Sequence, residues 1–238
     1  TGNTAVGKGA LDANTTAAYN AAFGQDALTA NTTGTENTSI GTFSMVNSTT
    51  GSFNTALGAG ALFSSQTGTD NVAVGFNSLT AANAGGRNIA IGPNALRSQN
   101  YTFTDATCDT SNDDATVTHD ANALIIAGAS VSGTGIPNGA TVASITSTTE
   151  FELSAVATAA GTNVTLTFSK SGVDYNNTAV GYNAGTAITT GAQNVLMGSF
   201  AGDALTTGTR NVVLGKSALT TEDTGSRNVA VGWNALAA

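Results

Sequence analysis

The sequence predicts an all-β fold, a parallel β-solenoid (β-roll) of 17-residue coils interrupted by a small antiparallel β-domain. Three observations carry this expectation. An Asn recurs at a spacing of 17, at Asn3, Asn20, Asn37, Asn54, Asn71 and Asn88 and again at Asn177, Asn194, Asn211 and Asn228. A Gly stands four residues after each, at Gly7, Gly24, Gly41, Gly58, Gly75, Gly92, Gly181, Gly198, Gly215 and Gly232. Between them lie three small or apolar residues, as in Thr4-Ala5-Val6, Val72-Ala73-Val74 and Val212-Val213-Leu214. Self-similarity at a fixed period marks stacked units, each too small to bury its own apolar face alone.

With the Asn as position one, positions two to four read as a short strand. Position four is large and apolar in every copy: Val6, Phe23, Ile40, Leu57, Val74, Ile91, Val180, Met197, Leu214 and Val231. Position three, on the opposite face, is mostly Ala, with Ser39, Leu196 and Val213 as exceptions. A strand apolar on both faces has to be covered on both. The coil's own second half can cover one, through the Ala-Leu pairs at positions eight and nine such as Ala61-Leu62, Ala95-Leu96 and Ala235-Leu236. A neighbouring copy of the chain is the economical cover for the other.

The second half of the unit is turn chemistry, as in Asn31-Thr32-Thr33-Gly34 and Ser65-Gln66-Thr67-Gly68. A second Gly at position fifteen (Gly34, Gly51, Gly68, Gly85, Gly191, Gly208 and Gly225, with Ala17 the departure) marks a second corner where the backbone turns or approaches closely. Helix is the poor alternative, because Gly and Thr would each cost roughly 0.5–1 kcal/mol per residue against Ala. In two copies position nine becomes Gly185 and Gly202, and in those same copies position twelve becomes Ile188 and Leu205. Core volume is moved three residues along, which makes sense if each coil must fill one layer.

Three segments follow. Residues 1–100 form a solenoid of six coils, 101–176 an inserted antiparallel β-domain, and 177–238 a solenoid of four coils. The insertion is set off by phase, since Asn88 and Asn177 are 89 residues apart. Strand-like stretches within it centre on Val117, Leu124-Ile125-Ile126, Val131, Val142 with Ile145, Phe151 with Leu153, and Val164, Leu166 and Phe168. Turns fall at Gly133-Thr134-Gly135, Pro137-Asn138-Gly139 and Ser147-Thr148-Thr149. Because the chain returns to the same repeat, the two ends of the insertion are expected to lie near one another.

Only 9% of the residues are charged, and the net charge of −8 is concentrated in the insertion, where Lys170 stands against Asp105, Asp109, Asp113, Asp114, Asp120, Glu150, Glu152 and Asp174. Such a surface disfavours nucleic acid as a partner. The longest apolar run, around Ala123-Leu124-Ile125-Ile126-Ala127, is too short to cross a bilayer, so no membrane insertion is expected. No signal peptide is visible and the chain begins with Thr, which suggests a processed or ordered piece of something longer.

Catalytic chemistry has little to work with. His119, the single His, has Asp120 beside it, but nothing in the sequence predicts convergence with a nucleophile. Cys108 has no second Cys to pair with. The acidic group Asp105, Asp109, Asp113, Asp114 and Asp120 could ligate Ca²⁺, yet its spacing matches no EF-hand loop, and a solvated acidic surface is the plainer reading. No catalytic residue, cofactor or metal is therefore expected.

The unit Asn54-Thr55-Ala56-Leu57-Gly58, and still more Asn71-Val72-Ala73-Val74-Gly75, resembles the head repeats of trimeric autotransporter adhesins and the related repeats of phage tail fibres. Those heads are left-handed parallel β-rolls in which three chains pack side by side, so the resemblance implies a homotrimer. The stretch from Ser130 to Ile145, with Gly133-Thr134-Gly135-Ile136-Pro137-Asn138-Gly139 at its centre, resembles a β-module of phage fibre and other virion surface proteins.

The function expected is thus a non-enzymatic homotrimeric fibre segment for attachment to a host cell or surface. Its coils would be the shaft and its insertion the exposed module that meets a surface receptor such as a glycan. Its location would be extracellular or at a virion surface. An alternative is a self-assembling extracellular filament or surface-layer component. A more remote one is an ice- or polysaccharide-binding solenoid using the Thr pairs Thr15-Thr16, Thr32-Thr33 and Thr49-Thr50.

Overall fold

The computed structural model describes residues 2–81, 85–98, 102–122, 124–170 and 175–237. Ala123, Asp174 and the boundary residues 99–101 lie outside the described residues. The first array contains β1 (Thr4–Val6), β2 (Ala21–Phe23), β3 (Thr38–Ile40), β4 (Thr55–Leu57), β5 (Val72–Val74) and β6 (Ile89–Ile91). The insertion contains β7 (Thr102–Thr110), β8 (Thr116–Thr118), β9 (Ser130–Gly133), β10 (Val142–Ser147), β11 (Glu150–Leu153) and β12 (Gly161–Ser169). The second array contains β13 (Thr178–Val180), β14 (Val195–Met197), β15 (Val212–Leu214) and β16 (Val229–Val231). These form two compact units, one of residues 1–100 with 172–238 and one of residues 101–171.

The first unit is a parallel β-solenoid. Its strands stack in one ten-stranded sheet in the order β1-β2-β3-β4-β5-β6-β13-β14-β15-β16. Each position pairs with the same position one coil on, as Thr55 with Val72 and Leu57 with Val74. The register continues across the insertion, because Ile89, Ala90 and Ile91 pair with Thr178, Ala179 and Val180.

Position three faces the interior and position four faces out. Ala22, Ser39, Ala56, Ala73, Ala90, Ala179, Leu196 and Val213 are fully buried, and with Leu28, Met45, Leu62, Leu79 and Leu96 of position nine they line one continuous core. In most coils a small position three faces a large position nine, Ala opposite Leu; Val213 and Leu196 are larger, and Leu196 reaches into the space left by Gly185 and Gly202. A Cβ on Gly185 would stand 2.6 Å from Leu196 Cδ1 and 3.0 Å from Ile188 Cδ1, so the space of the usual Leu is already taken by those two side chains. Ile188 and Leu205 are both fully buried, as the exchange of volume requires. Ser39 is matched by Ser44 at position eight: Ser39 Oγ donates to the Ser44 carbonyl (2.9 Å) and Ser44 Oγ to that of Gly41 (2.9 Å), so neither hydroxyl is buried without a partner.

The corners are of two kinds. At position five φ is positive, +135° at Gly58 and +129° at Gly75, and a Cβ on Gly58 would lie 2.6 Å from the Gly75 carbonyl oxygen. At position fifteen φ is ordinary and only the close approach demands Gly, a Cβ on Gly68 coming within 2.6 Å of the Gly85 oxygen. Gly is not the only residue in the left-handed region. Positions seven, nine and seventeen are left-handed too, including Leu28 (φ 55°), Leu62 (φ 52°), Asn77 (φ 51°) and Asp70 (φ 58°). A side chain in that region costs of order 1–2 kcal/mol. At position nine the burial of a whole Leu, about 1.5–3 kcal/mol, offsets it.

The second unit is a six-stranded sheet in the order β10-β11-β8-β7-β12-β9, its neighbouring strands antiparallel. Its two edge strands meet through a bridge between Ser130 and Thr141, with Val131 N–H donating to Ala140 (2.9 Å) and Val142 N–H to Ala129 (2.8 Å). The sheet thereby closes on itself as a short barrel around Cys108, Val117, Val131, Phe151, Leu166 and Phe168. One reading of the insertion is corrected and one strand is added. Leu124-Ile125-Ile126 is not a strand but part of the crossover from β8 to β9, with Ile125 N–H donating to the Asn122 carbonyl (3.2 Å). The nine-residue strand β7, of sequence TFTDATCDT, carries no apolar alternation and is not legible as a strand.

Candidate functional site

The repeat residues have separate mechanical roles. Each interior Asn is buried and ties two backbone groups together. Asn71 Nδ2 donates to the Gly85 carbonyl (2.9 Å) in its own coil, while its Oδ1 accepts the Asn88 backbone N–H (3.1 Å) of the next. Asn37, Asn54 and Asn194 repeat this arrangement. The ladder crosses the insertion, with Asn177 N–H donating to Asn88 Oδ1 (3.2 Å). An amide is required because one end must donate and the other accept. The Gly residues of position five form the corner beside it. Both sets act within the coil, the Asn side chains through the backbone groups they bond and the Gly residues through the close approach of the next coil.

Outward from that scaffold, positions two and four leave an apolar face uncovered. Leu57 is 46% exposed, Ile91 39%, Met197 47% and Val231 63%. Ile89, Val195 and Val229 of position two are exposed beside them. No charged residue occurs at either position in any coil, whereas Glu36, Asp70, Arg87, Arg210 and Arg227 stand at position seventeen along one edge. Ten strands about 4.8 Å apart make this face roughly 43 Å long. The Thr pairs offer less than their alignment suggests. Thr15, Thr32 and Thr49 use their hydroxyls as donors to the carbonyls of Thr32, Thr49 and Gln66 in the next coil.

In the second unit the acidic residues are dispersed into local hydrogen bonds. Asp105, buried inside the barrel, accepts from Thr107 N–H (2.9 Å), Thr107 Oγ1 (2.7 Å) and Asn122 Nδ2 (2.8 Å). Burial alone would raise its carboxyl, but those bonds and the nearby His119 hold it below the ordinary carboxylate range. Asp109 accepts from Asn163 N–H (2.7 Å) and Asp114 from Thr116 N–H (3.0 Å). No cluster of three or more His, Cys, Asp or Glu able to hold a metal occurs among the described residues. Cys108 is fully buried, and burial, reinforced by Asp105 and Asp109, pushes its thiol up to about 12. That is the opposite of an activated nucleophile.

His119 is placed differently. It follows β8, packs on Phe151 at 5.6 Å and has Nδ1 against the Asp120 carbonyl. With Ala121, Asn122, Ile125, Ile145, Ser147 and Thr148 it lines a cavity of about 570 Å³ at one end of the barrel. Ile145 pairs with Phe151 across β10 and β11 and so shares its interior face. Yet Ile145 is 44% exposed while Phe151 is fully buried, so the interior is left unfilled at this end. The sequence pointed to His119 only as an isolated titratable group and gave no sign of the cavity, because its walls come from the crossover and from the β10–β11 turn.

Searches against protein-family models, curated proteins and solved structures find no match to the chain.

Proposed function

We propose that the chain is a non-enzymatic, homotrimeric fibre segment that attaches to a cell or other surface outside the cell or on a virion, with the solenoid as shaft and the inserted barrel as the recognition module. The observation that carries this reading is the uncovered apolar face of positions two and four. A continuous uncharged row of exposed apolar side chains along one face of the coils fits contact with further copies of the same chain. A C3 arrangement covers all such faces at once and leaves none over. The likeness of the repeat to trimeric adhesin heads and phage tail-fibre repeats supports the same arrangement. Recognition is assigned to the insertion because loops carried on a rigid frame are where binding usually resides.

Solution mass and surface binding test the reading together. The parent should have the mass of three chains, and Leu57→Lys with Ile91→Lys should lower it while circular dichroism stays β. A second form replaces residues 99–175 by Ser-Gln-Thr-Gly-Thr, the residues at the matching coil positions 65–69, and should remain a trimeric rod that no longer attaches. A parent that is monomeric would overturn the trimer, and one whose mass grows with concentration would favour a structural filament. Full attachment by the shortened form would move recognition to the coils.

A further inference from the structure

We propose that the cavity at the end of the barrel is a saccharide site, selective for an uncharged pyranose that carries a methyl group, as in a 6-deoxyhexose or an N-acetylhexosamine. This rests on the reading of the insertion as the recognition module and names what it recognises. At about 570 Å³ the cavity falls within the range of small-molecule pockets, about 300–1,000 Å³, and mouths of β-barrels are among their preferred places.

The walls define the ligand. Ala121, Ile125 and Ile145 give an apolar side, which suits a methyl group and the C–H face of a sugar ring. Two polar groups converge on the same space. The Nδ1 of His119 is engaged by the Asp120 carbonyl, and Nε2 has no hydrogen-bond partner among the described residues. Thr148 adds an exposed hydroxyl from the turn. One ring nitrogen and one hydroxyl can meet two sugar hydroxyls. Asn122 is not free to join them, because Nδ2 donates to Asp105 (2.8 Å) and Oδ1 accepts from Leu124 N–H (3.0 Å), so it serves as a fixed wall.

Charge excludes the acidic sugars. Among the described residues no Lys or Arg lines the cavity, and Lys170, the one Lys or Arg of the insertion, gives its Nζ to the Ala127 carbonyl (2.6 Å). Asp105 stands directly behind Asn122, held ionised by its hydrogen bonds. A carboxylate, sulfate or phosphate on the ligand would therefore meet no countercharge and one like charge. The site is also pre-formed. His119 N–H donates to the Thr149 carbonyl (2.9 Å), pinning the crossover to the β10–β11 turn, and Asp120 N–H donates to Thr107 Oγ1 (3.1 Å). Walls already fixed in place lose little freedom on binding.

The test is a titration of the whole chain, followed by saturation-transfer NMR, with L-fucose, L-rhamnose and N-acetylglucosamine against glucose and sialic acid. Ile145→Glu and Thr148→Trp alter half-open or exposed positions and so leave the barrel folded, which circular dichroism checks. The methyl-bearing neutral sugars should bind at millimolar concentration or better, glucose more weakly and sialic acid not at all, with affinity falling at least tenfold in both folded variants. Failure of every methyl-bearing sugar to bind, equal binding by the folded variants, or preference for sialic acid would each overturn the assignment. Surface attachment by the same samples separates the two readings. Attachment by a chain that binds none of the methyl-bearing sugars leaves the fibre reading standing and removes the site, whereas sugar binding by a chain that attaches to nothing keeps the site and removes the fibre reading.

Discussion

Replacing Asn71 by Ala should be among the most damaging single changes the solenoid can suffer. The side chain is fully buried and holds two backbone groups, the Gly85 carbonyl through Nδ2 (2.9 Å) and the Asn88 N–H through Oδ1 (3.1 Å). Alanine leaves both inside the coil without a partner, and an unsatisfied buried polar group costs about 1–3 kcal/mol, so the expected loss is about 2–6 kcal/mol. Domain stabilities are only about 5–15 kcal/mol, so the loss would be easily seen in urea unfolding followed by circular dichroism. Asn3→Ala is the internal control. Asn3 also donates to a carbonyl, that of Ala17 (2.9 Å), and accepts the Asn20 N–H (2.9 Å), but it is only half-buried, and water can replace it at a cost below about 1 kcal/mol. A loss under 1 kcal/mol for Asn71→Ala, or an equal loss for Asn3→Ala, would refute the argument that buried ladder bonds fix the coil.

Gly75→Val should lower stability by more than about 2 kcal/mol, since φ is +129° and its Cβ would lie 2.7 Å from the Gly92 carbonyl carbon. By contrast Gly139→Ala, with φ +82° and nothing within 4 Å, should cost only about 1 kcal/mol, and thermal melts that rank the two the other way would refute the distinction. Ala56→Asp or Ala73→Asp puts a carboxylate into the fully buried coil core and should cost several kcal/mol, read as loss of the folded β signal near neutral pH and its partial return in acid. The Cys108 thiol titrates near 9 when unfolded and near 12 when folded, so the native barrel keeps its proton longer. Its contribution is complete below pH 9 and is lost as pH rises from 9 towards 12, and Cys108→Ala should flatten that alkaline decline in melting temperature.

The solenoid was legible because its constraints act on residue type at fixed spacing. Asn54 donates from Nδ2 and accepts at Oδ1, two ends that an amide holds apart, and only a residue without Cβ fits against the next coil at Gly58, so both positions repeat without change. What the spacing hid was conformation where side-chain burial overrides backbone preference. Leu62 at φ 52° looks like an ordinary core Leu in sequence, and only the coil geometry shows that it turns the chain. The two apolar faces could be counted but not assigned, since Ala73 inside and Val74 outside are both apolar, and which one the coil encloses depends on its width. In the barrel, β7 is stabilised by pairing with β12 over most of its length and by polar residues such as Asp105 and Thr110 turned inward, a pattern with no hydrophobic period to detect. The cavity depends on a turn and a crossover that are distant in sequence, Ile125 against Ile145, so no local pattern announces it.

The unbroken register between β6 and β13 has a kinetic consequence. Every other junction in the array closes a loop of 17 residues, but Asn88 and Asn177 close one of 89. Loop entropy scales as 1.5 RT ln n, so this seam costs about 1.5 kcal/mol more to form from an open chain than its neighbours. Two separate nucleation zones should therefore grow by fast local zipping and join last at the seam. The barrel can remove the delay, because the β7–β12 ladder brings Thr102 opposite Ser169 and leaves only the 14 residues from Asn88 to Thr102 and the 8 from Ser169 to Asn177, close to the length of one ordinary coil. Order of assembly then follows from topology, with the inserted module acting as a clasp whose early closure sets how quickly the two halves of the array find each other.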